Sequence, residues 1–259
     1  MELVPAATFS DAELAALFTA GYEGYFMPIA IDADSFRFLA RSFDYDLDAS
    51  RVARDAEESV GLVMVARRDD EAWIGGLAVI PERRGAGVGR RLMEAAAAEA
   101  RARGVRQIWL EVLVQNEPAI RLYEQLGYER VRELEVWALD GFDEERAEGT
   151  SVATEDAIGR VNDRPPWQRA DETVANMDDA EALVTKSGTL IYRATGGTAS
   201  LLQVAADDEH GARELLATLP EDMNSLRYMN GPVGDPVNAA LRSLGGAEIA
   251  RQHELMLRL

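Results

Sequence analysis

The feature that most constrains the fold is a glycine-rich segment, residues 81–91, in which three alternate glycines stand between two pairs of arginines. The segment follows a predicted strand and precedes an alanine-rich stretch that is typical of a helix. Glycine lets the backbone approach an anion closely, and the first turn of a helix has N–H groups without partners inside the helix. The segment therefore predicts a strand–loop–helix unit that holds a phosphate-bearing ligand.

The pattern along the chain predicts an α/β fold with a mixed sheet and two similar halves. The elements predicted in the first half are helices at 10–20 and 31–43, a hairpin of strands at 60–67 and 72–80, a helix from the glycine segment to Gly104, a strand at 107–113, a helix at 116–126 and a strand at 128–139. A weaker repeat follows, with a hairpin at 188–206, helices at 209–219 and 236–244, and strands near 226 and at 248–257. Each half is expected to form a central mixed β-sheet flanked by helices.

The expected division of the chain is a first domain at 1–140, an acidic linker at 141–164 and a second domain at 165–259. Residues 141–182 are acidic and poor in periodicity, and the prolines at 165 and 166 stiffen the chain.

Composition excludes several classes of function. A net charge of −19 repels nucleic acid and anionic membrane surfaces. There is no cysteine, and the two histidines, His210 and His253, stand far apart in the sequence, so no metal site is expected. No apolar run approaches the roughly 18 residues of a membrane span, and no targeting pattern is seen at the N-terminus. A soluble, cytoplasmic protein is expected.

Three interpretations of the glycine segment compete. A Walker A loop needs a Gly-Lys pair, and the one lysine is Lys186. A dinucleotide fingerprint needs the spacing G-x-G-x-x-G, whereas the glycines here fall at 85, 87 and 89. A turn without a ligand stays open, although Arg84 and Arg90 are expected to repel each other unless an anion lies between them.

Two motifs resemble those of the GNAT acetyltransferases. Arg84-x-x-Gly87-x-Gly89 is similar to the acyl-CoA pyrophosphate motif of that superfamily, and residues 79–85 resemble its lead-in. The second motif is residues 116–128, Asn-Glu-Pro-Ala-Ile-Arg-Leu-Tyr-Glu-Gln-Leu-Gly-Tyr. The resemblance covers residues 50–139 through these motifs, residues 1–50 by the order of elements, and the second half weakly.

The resemblance implies that acetyl-CoA is the co-substrate and that no metal is used. The strand end at Leu77, Ala78 and Val79 would pair with the pantetheine arm, and the loop amides would hold the pyrophosphate. The residues assigned to the coenzyme are Leu77, Ala78, Val79, Arg84, Gly85, Ala86, Gly87, Val88, Gly89, Arg90 and Asn116. Asn116 would contact the coenzyme arm as well as cap its helix, with capping alone as the alternative.

The resemblance also assigns two catalytic residues. An amine with a pKa near 10.4 must lose a proton before it attacks the thioester, which at pH 7 costs roughly 4.6 kcal/mol. Glu111 is the candidate base, because the run 110–112 is similar to ribosomal-protein N-terminal acetyltransferases; a strand glutamate with a structural partner is the alternative. Tyr123 would donate a proton to the departing CoA thiolate, and the alternative is a tyrosine that only packs its helix.

The second half departs from these motifs. Acids at 207–209 stand where a phosphate would lie, and Leu241 replaces the tyrosine, so a degenerate GNAT-like domain and a single CoA site are expected. The predicted function is transfer of an acetyl group to an amine, with a cationic small molecule or peptide as acceptor. The alternative functions are a protein N-terminal acetyltransferase and a non-catalytic acyl-CoA-binding regulator. The second half could instead recruit a protein partner. The chain could be a monomer or a homodimer.

Overall fold

The structure, a computed structural model, describes residues 1–161 and 163–259, and it divides into two compact units. Unit 1 comprises Met1–Val112, Asn116–Arg130 and Leu255–Leu259; unit 2 comprises Leu113–Gln115 and Val131–Glu254. Each unit packs helices against strands that pair in both parallel and antiparallel fashion. The predicted mixed α/β fold class is confirmed.

The strands of unit 1 follow the order β1-β2-β3-β4-β5, in which β4 and β5 are parallel and the other neighbours are antiparallel. Their bounds are β1 (Glu2–Pro5), β2 (Arg51–Asp55), β3 (Glu58–Arg68), β4 (Glu71–Val79) and β5 (Gln107–Leu113). The helices are α1 (Asp11–Gly21), α2 (Ala33–Ser42), α3 (Val88–Ala102) and α4 (Glu117–Gln125).

The sheet of unit 1 is covered on both faces because β3 is apolar on both. Val63 and Val65 belong to one core, which also holds Leu92 of α3, whereas Leu62 and Met64 belong to another, which includes residues of α1 and α2. Successive side chains of a strand point to opposite faces, so a continuous apolar run is typical of a strand that is buried on both sides. The glycine segment and the first helices therefore adjoin a strand that is packed on both faces.

The strands of unit 2 follow the order β12-β6-β11-β10-β9-β8-β7, and β10 and β11 are parallel. Their bounds are β6 (Glu129–Asp140), β7 (Thr150–Val152), β8 (Ala180–Thr185), β9 (Gly188–Thr195), β10 (Thr198–Ala205), β11 (Ser225–Pro232) and β12 (Ala247–Arg258). The helices are α5 (Thr154–Ala157), α6 (Asp171–Ala175), α7 (Glu209–Leu216) and α8 (Pro236–Ser243). Its core joins β9, β10 and β11 to α7 and α8.

The sequence missed short elements and placed the domain boundary differently. The strands β1 and β2 were not predicted, and the segment treated as a linker contains β7, which pairs with β8, and α5. The expected boundary at residue 140 falls at the end of β6, whereas the compact units divide this strand at residue 130. These short strands carry too few residues for a periodic signal, and the partners of β1 and β7 stand far away in the sequence.

Candidate functional site

The strands β4 and β5 separate part of the way along their length. Their parallel pairing joins Glu71 to Gln107, Ala72 to Ile108 and Trp73 to Trp109, and it ends there. Beyond this point β4 continues to Val79, still paired with β3 on its other side. The edge of β4 that faces the opening thus presents backbone groups without a β5 partner, and an extended ligand with amide groups could pair with them.

Gly75 creates a bulge in β4 at the start of the opening. The register with β3 shifts there, because Ile74 pairs with Val65 and Gly76 pairs with Met64. A bulge bends its strand and increases the local twist, which turns β4 away from its neighbour. A methyl group at Gly75 would lie 2.4 Å from the hydroxyl of Tyr45, so no larger residue fits.

The glycine loop leads from β4 into α3 through two residues with positive φ. Gly85 and Gly87 have φ values of 76° and 79°, which glycine adopts without strain, and Gly87 is the N-cap of α3. Within the described part of the chain, the backbone amides of residues 85–90 donate no hydrogen bond to the protein. A Cβ atom at Gly85 or Gly87 would meet open space. Six successive free donors at a helix N-terminus form a cradle for an anion.

The side chain of Arg84 hydrogen-bonds to three backbone carbonyls next to the glycine loop. Its Nε donates to the carbonyl of Val79 at 3.0 Å, and one terminal nitrogen donates to the carbonyls of Gly21 and Glu23 at 3.0 and 2.6 Å. These bonds tie the loop to the end of β4 and to the end of α1. The guanidinium therefore holds the backbone of the site and directs its donors at carbonyls.

Arg90 also has partners within the protein. It donates to the side-chain oxygen of Gln125 and lies 3.8 Å from the carboxylate of Glu94. The expectation that Arg84 and Arg90 need an anion between them is therefore wrong, because carbonyl and carboxylate oxygens already satisfy both charges. The argument for a ligand depends on the free amides of residues 85–90.

Asn116 caps α4 and also contacts the loop after α1. Its side-chain oxygen accepts a hydrogen bond from the amide of Ala119 at 3.4 Å. The Asn116 side chain also hydrogen-bonds to Tyr25, which moderates the raised pKa that burial gives this phenol. The capping role is confirmed, and the same side chain also contacts Tyr25 in the segment after α1.

Tyr123 is buried on α4, close to three other tyrosines. Burial, followed by the proximity of Tyr22, Tyr128 and Tyr25, raises the pKa of its hydroxyl well above the usual value. The ring centroid lies 5.8 Å from that of Tyr128. The phenol therefore stays protonated over the physiological pH range, as a hydrogen-bond donor must. Tyr123 also packs in the core, so both expected roles are compatible with its position.

Glu111 lies on β5, two residues beyond the last pair of the ladder. Its Oε2 accepts a hydrogen bond from the indole nitrogen of Trp73 at 2.8 Å. Tyr45 lies nearby, and burial, with Tyr22 and Glu111 adding to the effect, raises the pKa of its phenol. The structural partner that the sequence left open thus exists, and it places the carboxylate at the mouth of the opening.

The sequence did not identify Tyr45. Tyr45 follows Asp44, which has a φ of 58°, and its ring stacks on Trp73 with centroids 6.2 Å apart. Nothing in the local pattern marks this tyrosine, because the contact joins residues 28 positions apart. Trp73 and Trp109 belong to the core, since they are 4% and 9% exposed.

Unit 2 has an equivalent opening, but the protein fills it. The parallel pairing of β10 with β11 ends at Leu201 and Tyr228. Beyond it Arg169, which is 4% exposed, donates to the carbonyl of Asn230 at 2.8 Å and to that of Leu202 at 3.4 Å. Its guanidinium lies 4.3 Å from the centroid of the Tyr228 ring. Arg169 thus bridges the two diverging strands.

The loop of unit 2 is also too short for a phosphate cradle. Residues 206–208 connect β10 to α7, whereas residues 80–87 connect β4 to α3. The side chain of Asp208 accepts from the amide of Gly211 at 2.8 Å and so uses a donor of the first turn. A cavity of about 350 Å³ remains beside Arg169, and Asp207 and Asp235 contribute to its lining.

The described residues contain no group of three or more His, Asp or Glu side chains that could hold a metal ion. Among the same residues, no helix is both long enough and apolar enough to cross a membrane.

Known proteins with similar sequences and folds are acetyltransferases. Residues 14–128 match the Acetyltransferase (GNAT) family. The chain is 34% identical over 127 residues to a streptothricin acetyltransferase of Streptomyces lavendulae, across 49% of this chain and 57% of that protein. It is 46% identical over 59 residues to a ribosomal protein bS18-alanine N-acetyltransferase of Escherichia coli K12, across 23% of this chain and 40% of that protein. Both matches span less than two thirds of the relative.

A solved structure of a tandem GNAT protein from the clavulanic acid biosynthesis pathway has the same fold. Its TM-score is 0.68 at 17% identity, and the likeness covers 99% of this chain and 98% of that one. At this identity the likeness shows the fold alone.

Proposed function

Since residues 14–128 match the Acetyltransferase (GNAT) family, we propose that this chain is an acetyl-CoA-dependent N-acetyltransferase with one coenzyme site, in unit 1. The observation that carries the proposal is the row of six free amides at residues 85–90, at the end of the open strand β4. A pyrophosphate is the group that such a row binds best, because each hydrogen bond to a charged acceptor contributes about 1.5–3 kcal/mol. The helix dipole adds about 0.3–1 kcal/mol.

The open edge of β4 suits the rest of the donor. Leu77, Ala78 and Val79 precede the glycine loop, so an arm with amide groups could run along β4 from the pyrophosphate towards Gly75. This arrangement would bring the thioester to the place where β4 and β5 part, beside Glu111. Asn116, which follows β5 in the sequence, is proposed to hydrogen-bond to the arm.

The reaction would proceed by direct attack. Glu111 accepts a proton from the ammonium of the acceptor, and the free amine attacks the carbonyl carbon of the thioester. The carbon–sulfur bond then breaks, the sulfur leaves as a thiolate, and the second proton of the amine nitrogen passes to solvent. General-base assistance of about 10²- to 10⁴-fold is comparable with the deprotonation penalty of roughly 4.6 kcal/mol.

Tyr123 is the proposed partner of the departing sulfur. Its hydroxyl donates a hydrogen bond as negative charge develops on sulfur, and its proton passes to the thiolate. Thiols have an ordinary pKa near 8.5, far below that of this buried phenol, so the hydrogen bond in the transition state is the larger part of the effect. Solvent then restores the phenol.

Unit 2 is proposed to bind no coenzyme. Arg169 occupies the gap where an arm would pair, and residues 206–208 are too few to form a cradle. Asp207 and Asp208 would also repel a pyrophosphate.

The acceptor is proposed to be a cationic amine, because the net charge of −19 attracts cations to the protein. The two relatives act on different acceptors, an antibiotic in one case and a protein in the other, according to their names. A small amine and a protein N-terminus are therefore the two classes to compare.

The test is release of CoA thiol from acetyl-CoA in the presence of a panel of small amines and peptides. We expect turnover with at least one cationic acceptor, and a loss of at least about 100-fold in kcat for Tyr123→Phe. Tyr128→Phe is the matched control, because Tyr128 is a neighbouring buried tyrosine whose hydroxyl has no hydrogen bond among the described residues. Binding of acetyl-CoA without turnover on any acceptor would instead support a non-catalytic regulator.

A further inference from the structure

Two tryptophan–glutamate pairs join β4 to β5 in the same way. The indole nitrogen of Trp73 donates to Oε2 of Glu111 at 2.8 Å, and that of Trp109 donates to Oε1 of Glu71 at 3.1 Å. Trp73 and Trp109 are themselves direct neighbours in the parallel register. In the first pair the tryptophan lies on β4 and the glutamate on β5, and in the second pair these positions are reversed. Both pairs join the same types of side chain, and both hydrogen bonds are partly buried.

Their positions relative to the opening differ. Glu71 belongs to the closed part of the ladder, where it pairs with Gln107. Glu111 lies beyond the last pair, on the part of β5 that has separated from β4. The hydrogen bond from Trp73 therefore joins the Glu111 carboxylate to β4 beyond the last β4–β5 pair, where the two strands diverge.

The indole of Trp73 is itself held firmly. Its ring stacks on Tyr45 with an interplanar angle of 20°, and Phe43 meets it edge-on with centroids 5.5 Å apart. Gly75 allows this packing, because a Cβ there would lie 2.6 Å from the Trp73 ring. A donor that is locked by packing can fix the orientation of its acceptor without reorganising during a reaction.

We propose that Trp73 is a positioning residue that orients the Glu111 carboxylate as the base of the acetyl transfer. This inference rests on the proposed function. An indole N–H can only donate, so Trp73 cannot take the proton, and the proton goes from the acceptor ammonium to Glu111. A carboxylate has about four lone-pair sites, so it can accept the indole bond and still take a proton.

The hydrogen bond also favours the charged form of the carboxylate, which is the form that acts as a base. The phenol of Tyr45 lies close to Glu111, and burial, with Tyr22 and Glu111 adding to the effect, raises its pKa and keeps it neutral. Removal of the indole donor should thus shift the acidic limb of the rate profile to higher pH.

The test compares Trp73→Phe with Trp109→Phe, which loses the same hydrogen bond in the closed ladder. For Trp73→Phe we expect kcat to fall about tenfold or more, the acidic limb of kcat/KM to move up by about one pH unit, and the Kd for acetyl-CoA to stay unchanged. Trp109→Phe should keep the wild-type pH profile. A wild-type profile in Trp73→Phe, or equal shifts in both variants, would overturn the proposal.

Two further measurements separate this role from folding and from the proposed function. In Glu111→Gln, adding Trp73→Phe should reduce kcat by less than twofold, and a full additive loss would contradict positioning. If Trp73→Phe does not fold, the indole N–H resonance of Trp73 in the unaltered protein should titrate with the midpoint of the acidic limb; a flat signal would overturn the inference. Absence of turnover in the unaltered protein would refute the proposed function itself.

Discussion

Gly87 and Gly104 stand at opposite ends of α3 and offer a matched pair of substitutions. Gly87 is the N-cap with a φ of 79°, and Gly104 follows the C-terminus with a φ of 81°. A Cβ at either position would meet no atom within 4 Å. Each alanine substitution therefore introduces the same backbone strain and no clash, at a cost of about 1–2 kcal/mol in the free energy of unfolding.

Only Gly87 lies in the amide cradle. Gly87→Ala would place a methyl group among the donors of residues 85–90 and disturb one or two of them. Since a hydrogen bond to a charged acceptor contributes about 1.5–3 kcal/mol and 1.4 kcal/mol is tenfold in affinity, we expect the Kd for acetyl-CoA to rise about 10- to 100-fold. Gly104→Ala should leave this Kd unchanged.

Urea unfolding measures the free energy of unfolding of each variant, and titration calorimetry measures its Kd for acetyl-CoA. The account requires similar losses of stability in Gly87→Ala and Gly104→Ala, with a loss of affinity in Gly87→Ala alone. If Gly87→Ala bound acetyl-CoA as tightly as the unaltered protein, the cradle at residues 85–90 would be refuted. If both variants lost affinity equally, the effect would come from the helix and not from the loop.

Three other substitutions test separate parts of the structure. Ser10→Ala should lower the melting temperature more at pH 7 than at pH 3, because hydrogen bonds from Ser10 lower the pKa of Glu13 in the folded protein. The stabilisation that results is present above the pKa of Glu13 in the unfolded chain and is lost as the pH falls. An equal fall in melting temperature at both pH values would contradict this. Arg84→Lys keeps the positive charge but loses the planar guanidinium that donates to three carbonyls. The free energy of unfolding in urea should therefore fall by about 1–2 kcal/mol. An unchanged free energy of unfolding in Arg84→Lys would show that the charge alone matters. Arg169→Leu should destabilise the protein by about 2–5 kcal/mol, since two buried carbonyls lose their donor, while calorimetry should still give one acetyl-CoA per chain; unchanged stability would contradict the bridging role.

Local signals in the sequence were sufficient to predict the conformation of the glycine segment as a loop between a strand and a helix. The glycines indicated a loop between a strand and a helix, and in the structure Gly85 and Gly87 adopt positive φ values, which glycine tolerates without strain. Asn116 was predicted as a helix cap from its position before Glu117 and Pro118, and the structure confirms it. Such features depend on a few consecutive residues, which is why a sequence reveals them.

Features that depend on distant contacts were not predictable. The bond from Trp73 to Glu111 needs the register of β4 and β5, and Tyr45 reaches the site through the turn at Asp44. The charge of Arg84 led to a wrong expectation, namely that an anion must separate it from Arg90. Two of its partners are backbone carbonyls 63 and 61 positions earlier in the sequence, and no local pattern indicates that contact.

The contact that fills the opening of unit 2 also joins residues that are distant in the sequence, and so it was not predictable. Asp207 and Asp208 indicated that a phosphate would be repelled there, and that reasoning used neighbouring residues only. The insertion of Arg169 between Leu202 and Asn230 joins segments 33 and 61 positions apart. No periodic pattern in the acidic stretch before it indicates such a contact.

Hydrogen–deuterium exchange with and without acetyl-CoA tests the central claim most directly. The amides of residues 85–90 make no hydrogen bond within the described protein, so they should exchange fast alone and become protected when the coenzyme binds. The amides of residues 206–208 should not change. Failure of residues 85–90 to gain protection at saturating acetyl-CoA, or equal protection at 206–208, would contradict a single coenzyme site in the opening of β4 and β5.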